Sequence, residues 1–222
     1  MVTTSQKSDR TPSDGVPATE VGFVVLHDVS WQTYQALLAD MGEHRAARLA
    51  YNNGMLEIKM PSKLHELINR LLERIVTTLT EELGMNVLPL GSTTLNREEA
   101  AQGVEPDSCY YIQNADRVDP EDEEPPLDLP PDLVVEVDIT SSSRSRLNIY
   151  KKMGLPEIWR YNRQGFVILQ LREGEYVECE NSLTFSQISA EFLSALIERG
   201  KQAKNQNAVI GELRKWLREP TV

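Results

Sequence analysis

The chain has 222 residues, 40% hydrophobic and 26% charged, so it can bury a sizeable core and is not collagen-like, low-complexity or wholly disordered. A net charge of −11 argues against a nucleic-acid coat or a membrane-surface binder, and no apolar run approaches the roughly 18–20 residues of a membrane helix. Two cysteines make no disulfide framework and the polar N-terminus carries no secretion signal, which predicts a cytoplasmic protein without membrane association.

Three segments divide the chain. Residues 1–20 are polar and lack periodic apolar positions, which predicts a disordered tail. Residues 21–200 carry the apolar periodicities of one folded domain. Residues 201–222 predict an amphipathic helix whose apolar stripe packs on this domain or on a twin subunit.

The first part of the domain predicts a helix and a hairpin. Ser30 is a candidate N-cap for a short helix that ends at Gly42. The runs Arg45–Tyr51 and Met55–Met60 flank the dipeptide Asn53-Gly54, which is a strong signal for a two-residue hairpin turn.

A long helix and three strands follow. The longest helix begins after Pro61-Ser62, keeps apolar residues at helical spacing to about Leu83, and closes at Gly84. Three apolar runs then predict strands: Val87–Leu90, Cys109–Ile112 and Leu133–Ile139.

The rest of the chain predicts a turn at Ser141–Ser143, a helix, a three-stranded meander and two more helices. In chain order, the helix, the strands and the last two helices are Ser145–Met153, Glu157–Tyr161, Phe166–Leu171, Tyr176–Glu180, Phe185–Arg199 and Val209–Leu217. This order predicts a mixed α/β fold with a central mixed sheet flanked by helices.

Three carboxylates stand at positions where burial is expected. Glu136 interrupts Leu133–Val137, the most apolar strand of the chain, and Asp138 follows on the same face. Asp107 follows Pro106 at the start of another apolar strand. Burying an unpaired carboxylate costs on the order of several kcal/mol, so such a group is neutralised, paired or bound to a metal.

A hard divalent cation prefers oxygen ligands, which Asp107, Glu136 and the backbone carbonyl beside Glu136 would provide. Structural roles remain open for two of the acids. Asp107 could accept N–H groups of its own turn, and Asp138 could be solvated near the strand end. The second Pro-Asp pair, Pro131-Asp132, is interpreted mainly as a strand entrance.

The helix after the acidic strand carries Arg144, Arg146, Lys151 and Lys152. Arg146 and Tyr150 are four residues apart and share one face, where the arginine could stabilise charge that grows on a phosphate. Ordinary solvation is the alternative for these cations, and it is favoured for the two lysines.

His65 and Glu66 lie near the start of the long helix. On a helical wheel, His65 falls at the flank of the apolar stripe and Glu66 falls close to the opposite side. Either could face a cleft, although a single histidine at a helix flank is more often structural.

From Ser30 to Ile197 the chain resembles the Uma-type family, bacterial proteins described as restriction endonucleases or as a domain of unknown function within the PD-(D/E)XK nuclease superfamily. The motifs that carry the resemblance are Pro61-Ser62-Lys63-Leu64-His65-Glu66, Gly103-Val104-Glu105-Pro106-Asp107-Ser108-Cys109-Tyr110-Tyr111, Pro131-Asp132-Leu133-Val134-Val135-Glu136-Val137-Asp138-Ile139-Thr140-Ser141, and Ile149-Tyr150 with Gly154-Leu155-Pro156-Glu157-Ile158-Trp159-Arg160-Tyr161.

The resemblance implies a restriction-endonuclease-like fold and a Mg²⁺- or Mn²⁺-dependent nuclease that forms a homodimer. Asp107 matches the aspartate of the Pro-Asp motif and Glu136 matches the acid of the (D/E)XK element. Asp138 stands where the superfamily often has lysine, and Arg146 matches the position of the family's basic residue. The superfamily's helical acid falls at Glu66. An arginine cannot act as a general base, but it can orient water or clamp a phosphate.

The leading hypothesis is a divalent-metal-dependent endonuclease acting on nucleic acid. Asp107 and Glu136 hold the metal, Asp138 or Glu66 completes the shell or positions water, and Arg146 offsets charge in the transition state. The side chains expected to contact substrate are His65, Arg144 and Lys151. Two alternatives stay open: a catalytically inactive member of the fold acting as a protein-interaction or assembly module, and a phosphoesterase for a small phosphorylated substrate.

Overall fold

A computed structural model describes residues 22–42, 46–122, 125–126, 128–139 and 143–219. The tail predicted over residues 1–20 and the turn residues Ser141 and Ser142 lie outside these ranges. Within them the helices α1 to α5 are Trp31–Met41, Lys63–Leu83, Arg144–Met153, Ala190–Gln202 and Gln206–Arg218. The strands β1 to β11 are Phe23–Leu26, Arg48–Asn52, Met55–Lys59, Leu88–Gly91, Leu95–Arg97, Gln102–Val104, Ser108–Tyr111, Leu133–Asp138, Glu157–Asn162, Gly165–Arg172 and Glu175–Cys179.

The strands form two sheets. One is antiparallel, with the order β1-β3-β2-β6-β5, and the other has the order β11-β10-β9-β8-β7-β4. In the six-stranded sheet β8 and β9 are parallel, while the other pairs are antiparallel. The prediction of a mixed α/β fold is confirmed. The six-stranded sheet is the predicted central mixed sheet, and the five-stranded sheet adds to it. The sequence pattern does not predict β1, β5 and β6, because they are short strands without a clear apolar alternation.

The predicted hairpin joins β2 and β3. Asn53 and Gly54 have φ values of 46° and 95°, the left-handed conformation that a two-residue turn of this kind requires. Side chains alternate along β3, so Leu56 and Ile58 pack under α1, whereas Glu57 and Lys59 point to the opposite, inner face of the sheet. The turn therefore determines which face receives Lys59.

The long helix α2 lies against the six-stranded sheet and begins and ends as predicted. The Ser62 side chain accepts the His65 N–H, and Gly84 closes the helix in the left-handed conformation. Its apolar stripe enters the main hydrophobic core together with Val135 and Val137 of β8. One face of β8 is thus covered by α2.

The other face of β8 is covered by α3. Val134 packs with Ile149 and Tyr150 of α3 and with Ala50 of β2. Because side chains alternate along a strand, Glu136 and Asp138 share this face with Val134. The two acids therefore lie between the inner face of the five-stranded sheet and α3.

The C-terminal helices differ in detail from the prediction. Helix α4 begins at Ala190 and not at Phe185, because Ser189 caps it by accepting the Phe192 N–H. The apolar stripe of α5 packs within its own chain, where Val209 and Leu213 are buried in the main core. Both cysteines are free, and no helix in the described ranges is long and apolar enough to cross a bilayer.

Candidate active site

Asp107 and Glu136 are brought together by the pairing of β7 with β8. Ser108 lies opposite Val135 in this antiparallel pair, so continuation of the register places Asp107 across from Glu136. Asp107 is 3% exposed and Glu136 is fully buried. Two carboxylates that are 29 positions apart in the sequence thus become neighbours in the interior.

A lysine that the sequence analysis did not single out lies between them. The Lys59 Nζ donates to Asp107 Oδ2 at 2.8 Å, to Asp107 Oδ1 at 3.1 Å and to the Val137 carbonyl at 3.1 Å. Its distance to Glu136 Oε2 is 4.0 Å. This ammonium group is the common neighbour of both acids.

Asp107 has further partners on two sides. Its Oδ2 accepts the Val137 N–H at 2.7 Å and lies 2.8 Å from His65 Nε2. Its backbone carbonyl accepts from Asn69 at 3.2 Å. Burial alone would raise the pKa of Asp107, but Lys59 and His65 outweigh burial and hold that pKa well below its usual range.

His65 is therefore buried, with 2% of its surface exposed, although the helical wheel places it at the flank of the apolar stripe. A helical wheel gives the direction of a side chain relative to the apolar stripe and not what lies beside it, and beside His65 lies Asp107, at 2.8 Å. Glu66 lies away from the buried acids: its side chain is 40% exposed and contacts His65 Nδ1 at 3.6 Å and Arg70 at 3.9 Å.

Glu136 is held by α3. Arg146 Nη1 lies 2.8 Å from each carboxylate oxygen of Glu136, and the Tyr150 hydroxyl donates to Oε1 at 2.5 Å. Burial raises the pKa of Glu136 to about 7, against the opposing effect of Arg146. The pKa of Tyr150 is raised well above its usual value by burial and by the adjacent Glu136. Arg146 and Tyr150 are four residues apart and so share one face of α3, which lets both contact the Glu136 carboxylate.

Asp138 is buried, so the alternative that it is a solvated residue near the end of the strand is wrong. It is 5% exposed, accepts from Arg160 Nε at 2.6 Å and from the Ser143 N–H at 2.9 Å, and lies 3.9 Å from Arg146 Nη2. The end of a strand is normally exposed to solvent, but here β9 and the start of α3 cover the end of β8 and exclude water from Asp138. Asp138 thus links β8, β9 and α3 beside the two central acids.

The remaining predicted residues lie outside this cluster. Lys151 pairs with Glu175 of β11 at 2.8 Å, on another side of α3. Arg144 is exposed and lines an open groove of about 630 Å³ above Asp138. Arg160 and Arg163 line the same groove. The groove therefore combines three arginines with the acids Glu57 and Asp138 next to the buried carboxylates.

The donor set fits a hard cation. The Asp107 and Glu136 carboxylates and the Val137 carbonyl lie around the position of the Lys59 Nζ. Oxygen atoms of this kind are the ligands that Mg²⁺ and Mn²⁺ prefer. Within the described residues, no three His, Cys, Asp or Glu side chains group together as a metal site. The ammonium of Lys59 lies among these donors, and Asp107, Glu136 and the Val137 carbonyl are the oxygen ligands that a metal ion at this place would use.

The sequence carried a weak signal for Lys59. Within the predicted hairpin, Glu57 and Lys59 share one face of a strand whose other face is apolar. A strand at the edge of a domain shows the same pattern when its polar face meets water. Only the packing of this face against β8 and α3 turns Lys59 into an interior cation.

Comparison with known proteins adds two findings. The family model Uma2, described as "Putative restriction endonuclease", matches residues 31–219. A crystal structure of a "putative nuclease belonging to DUF820" from Anabaena variabilis ATCC 29413 has a similar fold, with a TM-score of 0.54 and 15% identity. The similarity covers 76% of this chain and 99% of that one. No curated protein sequence matches the chain.

The family match spans nearly all of the described residues and includes both buried acids, the hairpin that carries Lys59 and the helix that carries Arg146. The protein belongs to the Uma2 family of restriction endonuclease-like proteins.

Proposed function

We propose that this protein is a divalent-metal-dependent endonuclease that hydrolyses phosphodiester bonds of nucleic acid. The observation that carries the proposal is the convergence of Asp107 and Glu136 on one cation position beside a groove lined by arginines. The family match supports a nuclease, and the cation position supports a metal ion as its cofactor. The expected cytoplasmic location stays a prediction.

In this proposal Asp107, Glu136 and the Val137 carbonyl hold the ion. A bound Mg²⁺ or Mn²⁺ supplies a Lewis acid for a phosphate oxygen and lowers the pKa of a bound water. Arg146 and Tyr150 orient the Glu136 carboxylate, and the positive charge of Arg146 offsets negative charge that develops nearby. His65 orients Asp107 from the opposite side.

The groove is the proposed path of the nucleic-acid backbone. Arg144, Arg160 and Arg163 provide guanidinium groups that suit phosphate oxygens. Asp138 connects this surface to the buried acids, because it pairs with Arg160 of the groove and lies 3.9 Å from Arg146, the partner of Glu136. With a net charge of −11 on the whole chain, we expect modest affinity that falls steeply with salt.

Cleavage assays test the proposal. Purified protein with Mg²⁺ or Mn²⁺ should cut supercoiled plasmid, single-stranded DNA or RNA, and Glu136→Gln should abolish the cutting. Lys215→Met, an exposed change on α5, is the control for handling and contamination. Turnover of nucleotides with no cutting of any polymer would favour the small-substrate phosphoesterase.

A second candidate is a non-catalytic assembly module. Each central acid already has a cationic partner, Lys59 for Asp107 and Arg146 for Glu136, and this pairing favours a purely structural role. This candidate would be supported if neither the folded wild type nor a folded Lys59→Met variant binds Mn²⁺ or cuts any polymer.

The homodimer implied by family resemblance is also part of the proposal. Strand β1 is an edge of its sheet and leaves Val24 and Leu26 more than two-fifths exposed, which supports association at this edge. Sedimentation velocity at high concentration should show a dimer. A single 25.1 kDa species would contradict it.

A further inference from the structure

We propose that the ammonium group of Lys59 is a built-in competitor for the metal site, so that a divalent cation binds tightly only when Lys59 is withdrawn or removed. The inference rests on the proposed nuclease function for the identity of the site. Its test measures metal affinity and not cleavage.

The competition follows from shared ligands. The Lys59 Nζ hydrogen bonds to both oxygens of Asp107 and to the Val137 carbonyl, the same atoms that would hold the ion. It also lies 4.0 Å from Glu136, the remaining acid. An ammonium group and a divalent cation cannot share one position, because they overlap and repel each other.

Lys59 is held in this position by the fold. The side chain is only 4% exposed, and it leaves β3 on the inner face fixed by the Asn53-Gly54 turn. Exposed lysines sample many rotamers, but a buried lysine with three oxygen partners does not. A metal ion that binds these oxygens therefore has to displace the Lys59 ammonium from them.

Charge balance points the same way. Apart from His65 and the buried Glu57, three carboxylates and three cations are joined by ion pairs: Asp107, Glu136, Asp138, Lys59, Arg146 and Arg160. The formal charges of these six groups cancel, so each of the three carboxylates already has a cationic partner. Removal of the Lys59 charge alone leaves one uncompensated negative charge at the cation position.

Isothermal titration with Mn²⁺ tests the inference. Lys59→Met keeps an apolar side chain of similar length without the charge, and we expect its Mn²⁺ affinity to exceed that of the wild type by at least about tenfold. Lys215→Met changes the net charge equally at an exposed site on α5 and should match the wild type. Adding Asp107→Asn to Lys59→Met should remove the gain.

Stability provides a second readout, because Lys59→Met removes the ammonium partner of the buried Asp107. Mn²⁺ should raise the melting temperature of Lys59→Met and of the milder Lys59→Gln more than that of the wild type. A variant that is unfolded without metal should fold when Mn²⁺ is added. Equal affinities and equal melting shifts in wild type and variants, or a variant that saturating Mn²⁺ fails to fold, would overturn the inference.

The two proposals can fail separately. If Lys59→Met gains Mn²⁺ affinity while neither it nor the wild type cuts nucleic acid, the nuclease proposal is wrong and the competition stands. If the wild type cuts nucleic acid and Lys59→Met binds Mn²⁺ no more tightly, the competition is wrong and the nuclease stands.

Discussion

Two Pro-Asp pairs precede neighbouring strands of one sheet, yet their aspartates have different partners. Asp132, before β8, accepts the backbone N–H groups of Ile112 and Asn114 at 2.7 and 3.0 Å. Asp107, before β7, accepts one backbone N–H, that of Val137, and in addition the buried ammonium of Lys59. The aspartate of one Pro-Asp pair therefore stabilises the loop after β7, whereas the aspartate of the other belongs to a buried cluster of charged side chains.

Strand direction explains the difference. Because β7 and β8 are antiparallel, their entrances lie at opposite ends of the pair, near Tyr110–Leu133 and Ser108–Val135. The second end also receives the inner face of β3 and the starts of α2 and α3. A Pro-Asp pair in the sequence predicts where a strand begins. The role of its aspartate depends on the residues that surround it in the folded protein.

The largest expected effect separates the two aspartates directly. Asp107→Asn should lower the rate of plasmid cleavage by at least about 10⁴-fold, because an amide is a poor metal ligand and loses the charge that attracts the ion. Asp132→Asn should leave the rate nearly unchanged, since an amide oxygen still accepts backbone N–H groups. Initial rates at equal folded concentration make the comparison, and similar losses in both variants would contradict it.

Removing a cation from the charged end should cost stability. Arg146→Met leaves Glu136 buried without its guanidinium partner and should lower the free energy of unfolding by about 3–5 kcal/mol. Lys151→Met, on the same helix, breaks only the exposed pair with Glu175 and should cost at most about 1 kcal/mol. Urea unfolding measures both, and equal costs would show that burial does not strengthen the pair.

The same contrast explains what could be predicted from the sequence. Periodicity located α2, the hairpin and the buried strand with Glu136, because each pattern reflects local burial along one element. Lys59 was not singled out, and the burial of His65 beside Asp107 was not predicted, because the environment of both residues is built by other elements, β8 and the loop before β7. Partners that come from distant parts of the chain leave no spacing in the sequence.

A smaller effect is expected at the loop end of the pair. Asp132→Ala leaves the N–H groups of Ile112 and Asn114 without their acceptor and should cost about 1–3 kcal/mol of unfolding free energy. Mn²⁺ affinity should stay at the wild-type value, because Asp132 lies at the far end of the strands. Urea unfolding and Mn²⁺ titration test both statements. A change in Mn²⁺ affinity would show that the two ends are coupled.

The smallest expected effect concerns the groove beside the charged end. Arg163 lines this groove, and its removal in Arg163→Ala should weaken oligonucleotide binding and reduce the slope of log affinity against log salt by about 1. Arg199→Ala, on α4, removes an equal charge that pairs with Glu212 and should leave the slope unchanged. Fluorescence anisotropy in the Glu136→Gln background measures binding without cleavage. If both arginine variants change the slope equally, the nucleic acid responds to overall charge and the groove is not its path.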